Sequence, residues 1–292
     1  MFSQIDQVRR FNRVVSQRAG TLDQSYLGQG RPLGEARLLF EIGHDGGNAR
    51  ELRDRLGLDS GYLSRLLRAL ESQGMIVVTP SETDRRVRDI QLTDAGRAQV
   101  ETYDRLSDDL ASSILAPLDE RQKAKLVEAM AQVERLYRAA AVTVSAESPA
   151  TVDARACVDQ YIRELNQRFD TGYDPDTAGP LDDSEFLPPD GVFVVARLDG
   201  KAIGCGGLKR LDAETGEIKR LWVSPDTRGL GLGRRLLVEL EALAQQRGMA
   251  RVCLDTNGTL VEAQALYHAQ GYVEVAPYND NPYAQHWFEK RL

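Results

Sequence analysis

The sequence predicts two domains, a mainly α half carrying one β-hairpin and an α/β half with a mixed central sheet, on three observations. The 292 residues exceed one ordinary core and suit two domains of roughly 150 residues each. Apolar residues recur at helical spacing through the first half, whereas strand and helix patterns alternate through the second. The segment SAESPAT, residues 145–151, follows a long helical pattern and combines small residues with a proline, so it is read as a linker between domains at 1–144 and 152–292.

In the first half, Phe2 to Arg18 is amphipathic, Pro32 suits the first turn of a helix running to about Ile42, and Ala49–Leu56 and Ser60–Gln73 follow as helices. The stretch MIVVTPSETDRRVRDIQLT then reads as two short strands around a polar turn at residues 81–86. Thr93 and Asp94 can cap a helix to about Leu115, Pro117 stops it, and Leu118–Ala141 forms another. In the second half a helix is expected over Val152–Phe169 and strands over Val192–Leu198, Ala202–Lys209 and Glu217–Val223. Helix Gly231–Arg247, strand Arg251–Thr256, helix Leu260–Gln270 and strands near Tyr272–Ala276 and Ala284–Lys290 complete the pattern.

Composition narrows the function classes. A hydrophobic content of 42% with 28% charged residues is that of a soluble globular protein, and no apolar run approaches the roughly 18 residues that span a bilayer. The N-terminal MFSQIDQVRRFNRVV lacks the apolar core of a secretory signal, so a cytoplasmic protein without a membrane partner is expected. Cys157, Cys205 and Cys253 are widely spaced, and His44, His268 and His286 make no cluster with them; no metal site is expected. The net charge of -7 is uneven: residues 1–145 carry 21 basic and 21 acidic side chains, and the second half holds the whole acidic excess. Residues 50–88 are locally basic, with eight arginines against six acids, which fits a DNA-facing surface in the first half.

That surface has a pattern. In ARELRDRLGLDSGYLSRLLRALESQGMI a short helix meets a tight turn and a second helix whose Leu63, Leu66, Leu67 and Leu70 form one apolar face. Ser60, Tyr62, Ser64, Arg65 and Arg68 lie on the other, able to reach base edges or phosphates if the helix enters a major groove. The following hairpin brings Arg85, Arg86 and Arg88, side chains suited to the negative potential of a narrow minor groove. Together with LSRLLRALESQGMI, DRRVRDIQLTDAG and the flanking long helices, this half resembles the MarR family of winged-helix regulators. The resemblance implies a winged helix-turn-helix that binds a near-palindromic site in double-stranded DNA as a homodimer, paired through Phe2–Arg18, Ala95–Leu115 and Leu118–Ala141.

The second half holds the chemical signal. In EIKRLWVSPDTRGLGLGRRLL a strand, a proline turn and the run Arg228, Gly229, Leu230, Gly231, Leu232, Gly233, Arg234 open a helix. Glycines let backbone amides approach a pyrophosphate, and the helix N-terminus attracts its charge. The run lacks the GK[ST] of a P-loop and the third glycine of a dinucleotide fingerprint. It matches R-x-x-G-x-G, and with EAQALYHAQGYVEV downstream this half resembles the GNAT family of N-acetyltransferases. The resemblance implies acetyl-CoA as cofactor and an amine acceptor substrate. Tyr267 matches the general acid that protonates the coenzyme thiolate, and Glu217 a position some members use as general base through water. Backbone amides around Leu221, Trp222 and Val223 are expected to meet the acetyl carbonyl and pantetheine arm. Leu260 stands where many members carry an asparagine, and Asn257, three residues earlier, is the candidate replacement. Phe169, Tyr173, Tyr278, Asn279, Asn281 and Tyr283 are candidates for the acceptor pocket.

Three readings follow: a bifunctional regulator and acetyltransferase, a regulator whose second half only senses acetyl-CoA or an amine, and an enzyme whose winged helix serves dimerisation alone. All six lysines lie at or after Lys123, so a DNA surface in the first half would depend on arginine, and self-acetylation of DNA-contacting lysines is excluded as an off-switch.

Overall fold

The computed structural model describes residues 3–20, 25–43, 46–80, 88–170, 172–175, 177 and 183–292. The chain divides into two compact units, Met1–Ala129 and Met130–Leu292. In the first, α1 (Gln4–Arg18), α2 (Leu33–Ile42), β1 (Gly47–Asn48), α3 (Ala49–Leu56), α4 (Ser60–Ser72), β2 (Ile76–Pro80), β3 (Arg88–Leu92) and α5 (Asp94–Leu115) precede α6 (Glu120–Ala141). Five of these six helix starts are capped by a side chain. Ser3 and Asp6 form a capping box, Asn48, Asp59 and Thr93 accept from backbone amides of α3, α4 and α5, and Asp119 and Gln122 exchange such bonds ahead of α6. Strands β1, β3 and β2 form an antiparallel sheet in that order. It closes over a core in which Leu38, Leu39, Leu52, Leu63, Leu70 and Ile90 are buried, the helix-turn-helix and hairpin expected from the sequence. The strand β1 was not foreseen; it is two residues long and pairs with β3 some forty residues on.

The second unit contains β4 (Thr143–Glu147), α7 (Val152–Arg168), β5 (Gly191–Leu198), β6 (Lys201–Arg210), β7 (Thr215–Val223), α8 (Leu232–Gln246), β8 (Arg251–Thr256), α9 (Val261–Ala269), β9 (Val273–Val275) and β10 (His286–Arg291). The seven strands form one mixed sheet in the order β4-β5-β6-β7-β8-β10-β9, antiparallel except for β7 beside β8. Leu236, Leu237 and Leu240 of α8 are fully buried in the core with Leu208, Val252 and Phe288.

The linker expected at residues 145–151 is corrected by the structure. Ser145, Ala146 and Glu147 belong to β4, which pairs with β5, and the buried Val142 is the only residue between α6 and that strand. An ionic clamp holds the edge strand: Arg197 pairs with Glu147 at 2.8 Å and with Asp153 at 2.7 Å. Among the described residues no helix is long and apolar enough to cross a membrane.

Two irregularities shape the sheet where the second unit opens. The parallel pairing of β7 with β8 covers only Thr215–Glu217 against Arg251–Cys253, so the strands separate beyond Glu217 while both continue. Between β6 and β7 the register shifts so that Cys205 opposes Trp222 and Gly207 opposes Lys219. Arg220, with φ of 55°, is the left-handed residue of this bulge.

Candidate functional site

The gap between β7 and β8 opens into a cavity of about 360 Å³. Its walls come from α7, β7, the end of β8, α9 and the segment before β10. Of the residues expected here, Leu221, Asn257, Tyr267, Phe169, Tyr173, Asn281 and Tyr283 line it. Tyr267 is buried against Tyr272 and Phe288, with ring centroids at 5.9 and 5.6 Å. Burial, reinforced by the charge of Asp255, pushes its phenol well above the usual tyrosine range, so the proton stays on oxygen at neutral pH. Phe169, Tyr173 and Tyr283 form a three-ring wall, with centroids 4.9 to 5.9 Å apart.

The structure moves three expected residues away from the cavity. Glu217, 2% exposed, does not line it. Tyr278 and Asn279 donate to its Oε1 at 3.0 and 3.1 Å, and Lys219 and Lys209 pair with it at 2.9 and 3.5 Å. Tyr278 and Asn279 therefore leave the acceptor wall as well; they cover a buried carboxylate, and Asn279 also accepts from the Trp287 indole at 2.9 Å. The carboxylate that does line the cavity is Asp255 of β8, whose side chain is 2% exposed and is held by Lys219 and Asn281. Burial alone would lower the Lys219 pKa, but Asp255 and Glu217 on either side outweigh it and hold the ammonium above its ordinary value. Glu185, Lys209, Glu217, Lys219 and Asp255 thus form a row of alternating charge.

The glycine loop follows β7 directly. Gly229 and Gly231 have φ of 81° and 72°, and a Cβ at either would meet open space. Glycine stands there for its backbone conformation. Gly233 is different, since a Cβ there would lie 3.3 Å from the Leu266 side chain of α9. The first backbone bond of α8 runs from Arg235 to Gly231. Among the described residues, the amides of Gly229, Leu230, Gly231, Leu232, Gly233 and Arg234 have no acceptor. Six free amides at a helix start, over glycines that leave the approach clear, fit a pyrophosphate.

Arg228 is already engaged: its Nη2 donates to both carboxylate oxygens of Glu164 at 2.7 and 2.6 Å. Glu164, on α7, also accepts from the Trp222 indole at 2.9 Å and pairs with Arg168, which bonds Glu262 of α9 at 2.8 Å. Trp222 and Val223 are not among the residues lining the cavity, and Trp222 packs in the core beside Cys157 and Cys205. Asn257 donates to the Tyr283 carbonyl and accepts from Thr259, so its amide serves the loop around it. Sequence reasoning missed Tyr161, Glu164, Lys219, Arg220 and Asp255; the KR of EIKRLWV was the visible signal for two of them.

In the first unit Ser60, Tyr62, Ser64, Arg65 and Arg68 all lie on the exposed face of α4, and Arg88 is exposed on β3. The Arg65 guanidinium sits 5.6 Å from the Tyr62 ring centroid. Arg85 and Arg86 lie outside the described residues.

Comparison with known proteins agrees with both halves. The model of the acetyltransferase (GNAT) family matches residues 159–272, and that of the MarR family matches residues 29–87. An IAA acetyltransferase of Azospirillum brasilense is 35% identical over 139 residues, spanning 47% of this chain and 88% of that protein. The chain belongs to the GNAT acetyltransferase family. Its GNAT unit follows a MarR-family domain, and acetyl-CoA is its acyl donor. An N-acetyltransferase of Schizosaccharomyces pombe is 33% identical over 133 residues, 44% of this chain and 80% of that protein. A solved complex of Staphylococcus aureus MepR with DNA aligns to 46% of this chain and 97% of its own, at 20% identity and a TM-score of 0.36.

Proposed function

We propose that this chain is a DNA-binding regulator that also acetylates a primary amine. The acetyltransferase half of the reading rests on one observation: β7, which separates from β8 beside a cavity walled by Tyr267, runs directly into the loop whose amides 229–234 are free. Those amides would hold the pyrophosphate of acetyl-CoA, and backbone groups at Leu221 to Val223, released from β8, would hold its arm. An acceptor ammonium entering the cavity loses one proton toward Asp255, the carboxylate that lines it, rather than toward the enclosed Glu217. Its nitrogen then bonds to the acetyl carbon as the carbon–sulfur bond breaks; sulfur takes the Tyr267 proton, and the second proton lost by nitrogen restores the Tyr267 phenol, leaving one proton net on Asp255.

The DNA-binding half rests on α4, which buries Leu63, Leu66 and Leu70 while exposing Ser60, Tyr62, Ser64, Arg65 and Arg68. Pairing of two copies is supported by the apolar side chains that α1 and α6 leave exposed: Ile5, Val8, Phe11 and Val14 on one, Val127, Met130 and Leu136 on the other. Release of coenzyme thiol from acetyl-CoA, followed over a panel of primary amines, tests the enzymatic half. Amine-dependent release supports it; tight acetyl-CoA binding with no release for any amine refutes it.

A further inference from the structure

The cavity holds three cations, and two are compensated. Lys219 lies between Asp255 and Glu217, and Lys209 between Glu185 and Glu217. Arg220 differs. Its side chain is 9% exposed, yet its five N–H groups make no hydrogen bond with any described residue. Among the described residues its one ion pair is with Asp183, at 3.7 Å, which is 36% exposed and shared with Arg155. The guanidinium carbon sits 4.6 Å from the Phe186 ring centroid, a cation–π contact that uses none of the N–H groups as hydrogen-bond donors. The left-handed backbone of Arg220, imposed by the bulge, sets this side chain at the cavity wall.

We propose that the acceptor is a primary amine that also carries a carboxylate, an α-amino acid, and that Arg220 holds that carboxylate while the amine faces Tyr267 and Asp255. This deepens the acetyl-transfer reading and rests on it. A buried guanidinium with an unused fork is matched by the two oxygens of a carboxylate, geometry that no ammonium ion reproduces. The volume of about 360 Å³ is at the small end of the roughly 300–1,000 Å³ typical of ligand pockets, which suits a small molecule. The rings of Phe169, Tyr173 and Tyr283 offer an apolar wall to the rest of it. In the transfer the carboxylate is a spectator: the C–S bond breaks as nitrogen gains the acetyl carbon, nitrogen gives up two protons, one replacing that passed to sulfur and one held by Asp255, and the carboxylate keeps its charge and its place on Arg220.

The test uses matched substrates, phenylalanine, phenylalaninamide and phenethylamine, with leucine and its amide as a second set. Thiol release is measured for the full-length protein and for Arg220→Gln and Arg220→Lys. The wild type is expected to prefer each acid over its amide by about tenfold or more in kcat/KM, mostly through KM. Arg220→Gln should bring that ratio to within about twofold, with Arg220→Lys between. The rise in melting temperature on adding acetyl-CoA checks that each variant is folded. A wild type that prefers the amides, or an Arg220→Gln protein that loses acid and amide activity equally, overturns the proposal. If no amine releases thiol, the acetyl-transfer reading fails, and calorimetry decides the Arg220 site alone. Binding of phenylalanine but not its amide, lost in Arg220→Gln, supports it; equal binding of both refutes it.

Discussion

At the scale of single residues, Tyr267 is the proposed proton donor. Its hydroxyl donates to no described residue, and burial raises its pKa, so the phenol is a proton source whose charge state does not change through neutral pH. Replacement by phenylalanine removes one oxygen and leaves the contacts with Tyr272 and Phe288. Tyr267→Phe is therefore expected to lower kcat by roughly a hundredfold or more, with acetyl-CoA affinity changed by less than about threefold, as measured by steady-state kinetics and calorimetry. An equal loss in both would give the tyrosine a packing role. The same scale shows what one sequence conveys about a site. Tyr267 was legible because it sits in a motif of fixed spacing. The pairing of Glu217 with Tyr278 and Asn279 was not legible, because nothing in the order of residues tells which carboxylate a Tyr-Asn loop will fold across. Arg220 was hidden for another reason. A left-handed arginine in a strand is a product of the register shift against β6, and the alternation of residues in EIKRLWV does not announce it.

At the scale of elements, Glu164 ties three of them together: α7, which carries it; β7 and its loop, through Trp222 and Arg228; and α9, through Arg168 and Glu262. Burial would raise the Glu164 pKa, but the hydrogen bonds from Arg228 and Trp222 together outweigh it and hold the carboxyl below its usual value of 4.5. A lowered folded-state pKa means stability present above 4.5 and lost as pH falls through the folded value. Glu164→Gln is accordingly expected to destabilise the second unit by about 1–3 kcal/mol at pH 7. Its melting temperature should converge on that of the wild type below pH 4.5; a gap that persists in acid would remove the ionic explanation. Most helices and strands were readable from period and caps, as the matching limits of α3 and β8 show. The strand β4 was not, because TVSAE at the sheet edge alternates weakly, and its partner β5 begins more than forty residues later. Its serine, alanine and glutamate look like linker until Arg197 and Val142 are placed beside them.

Across the whole molecule, the two kinds of phosphate recognition proposed for this chain would use different means. The DNA surface proposed for the first unit depends on arginine, since no lysine precedes Lys123, whereas the coenzyme loop relies on backbone amides. Arg65→Ala and Arg68→Ala should each weaken binding to a cognate duplex and reduce the slope of log affinity against log salt by about one. The exposed apolar side chains of α1 and α6 predict a dimer, twice the 32.4 kDa chain by light scattering. Phe11→Glu with Leu136→Glu should give monomers with loss of duplex binding, and a monomeric wild type that still binds DNA tightly would contradict the pairing.

If amides 229–234 receive the coenzyme, hydrogen exchange with and without acetyl-CoA will register it. Those amides lack partners and should exchange rapidly in the free protein. Saturating acetyl-CoA is predicted to slow exchange there and at Leu221 to Val223. Unchanged exchange across residues 229–234, with protection appearing elsewhere in the second unit, would contradict it.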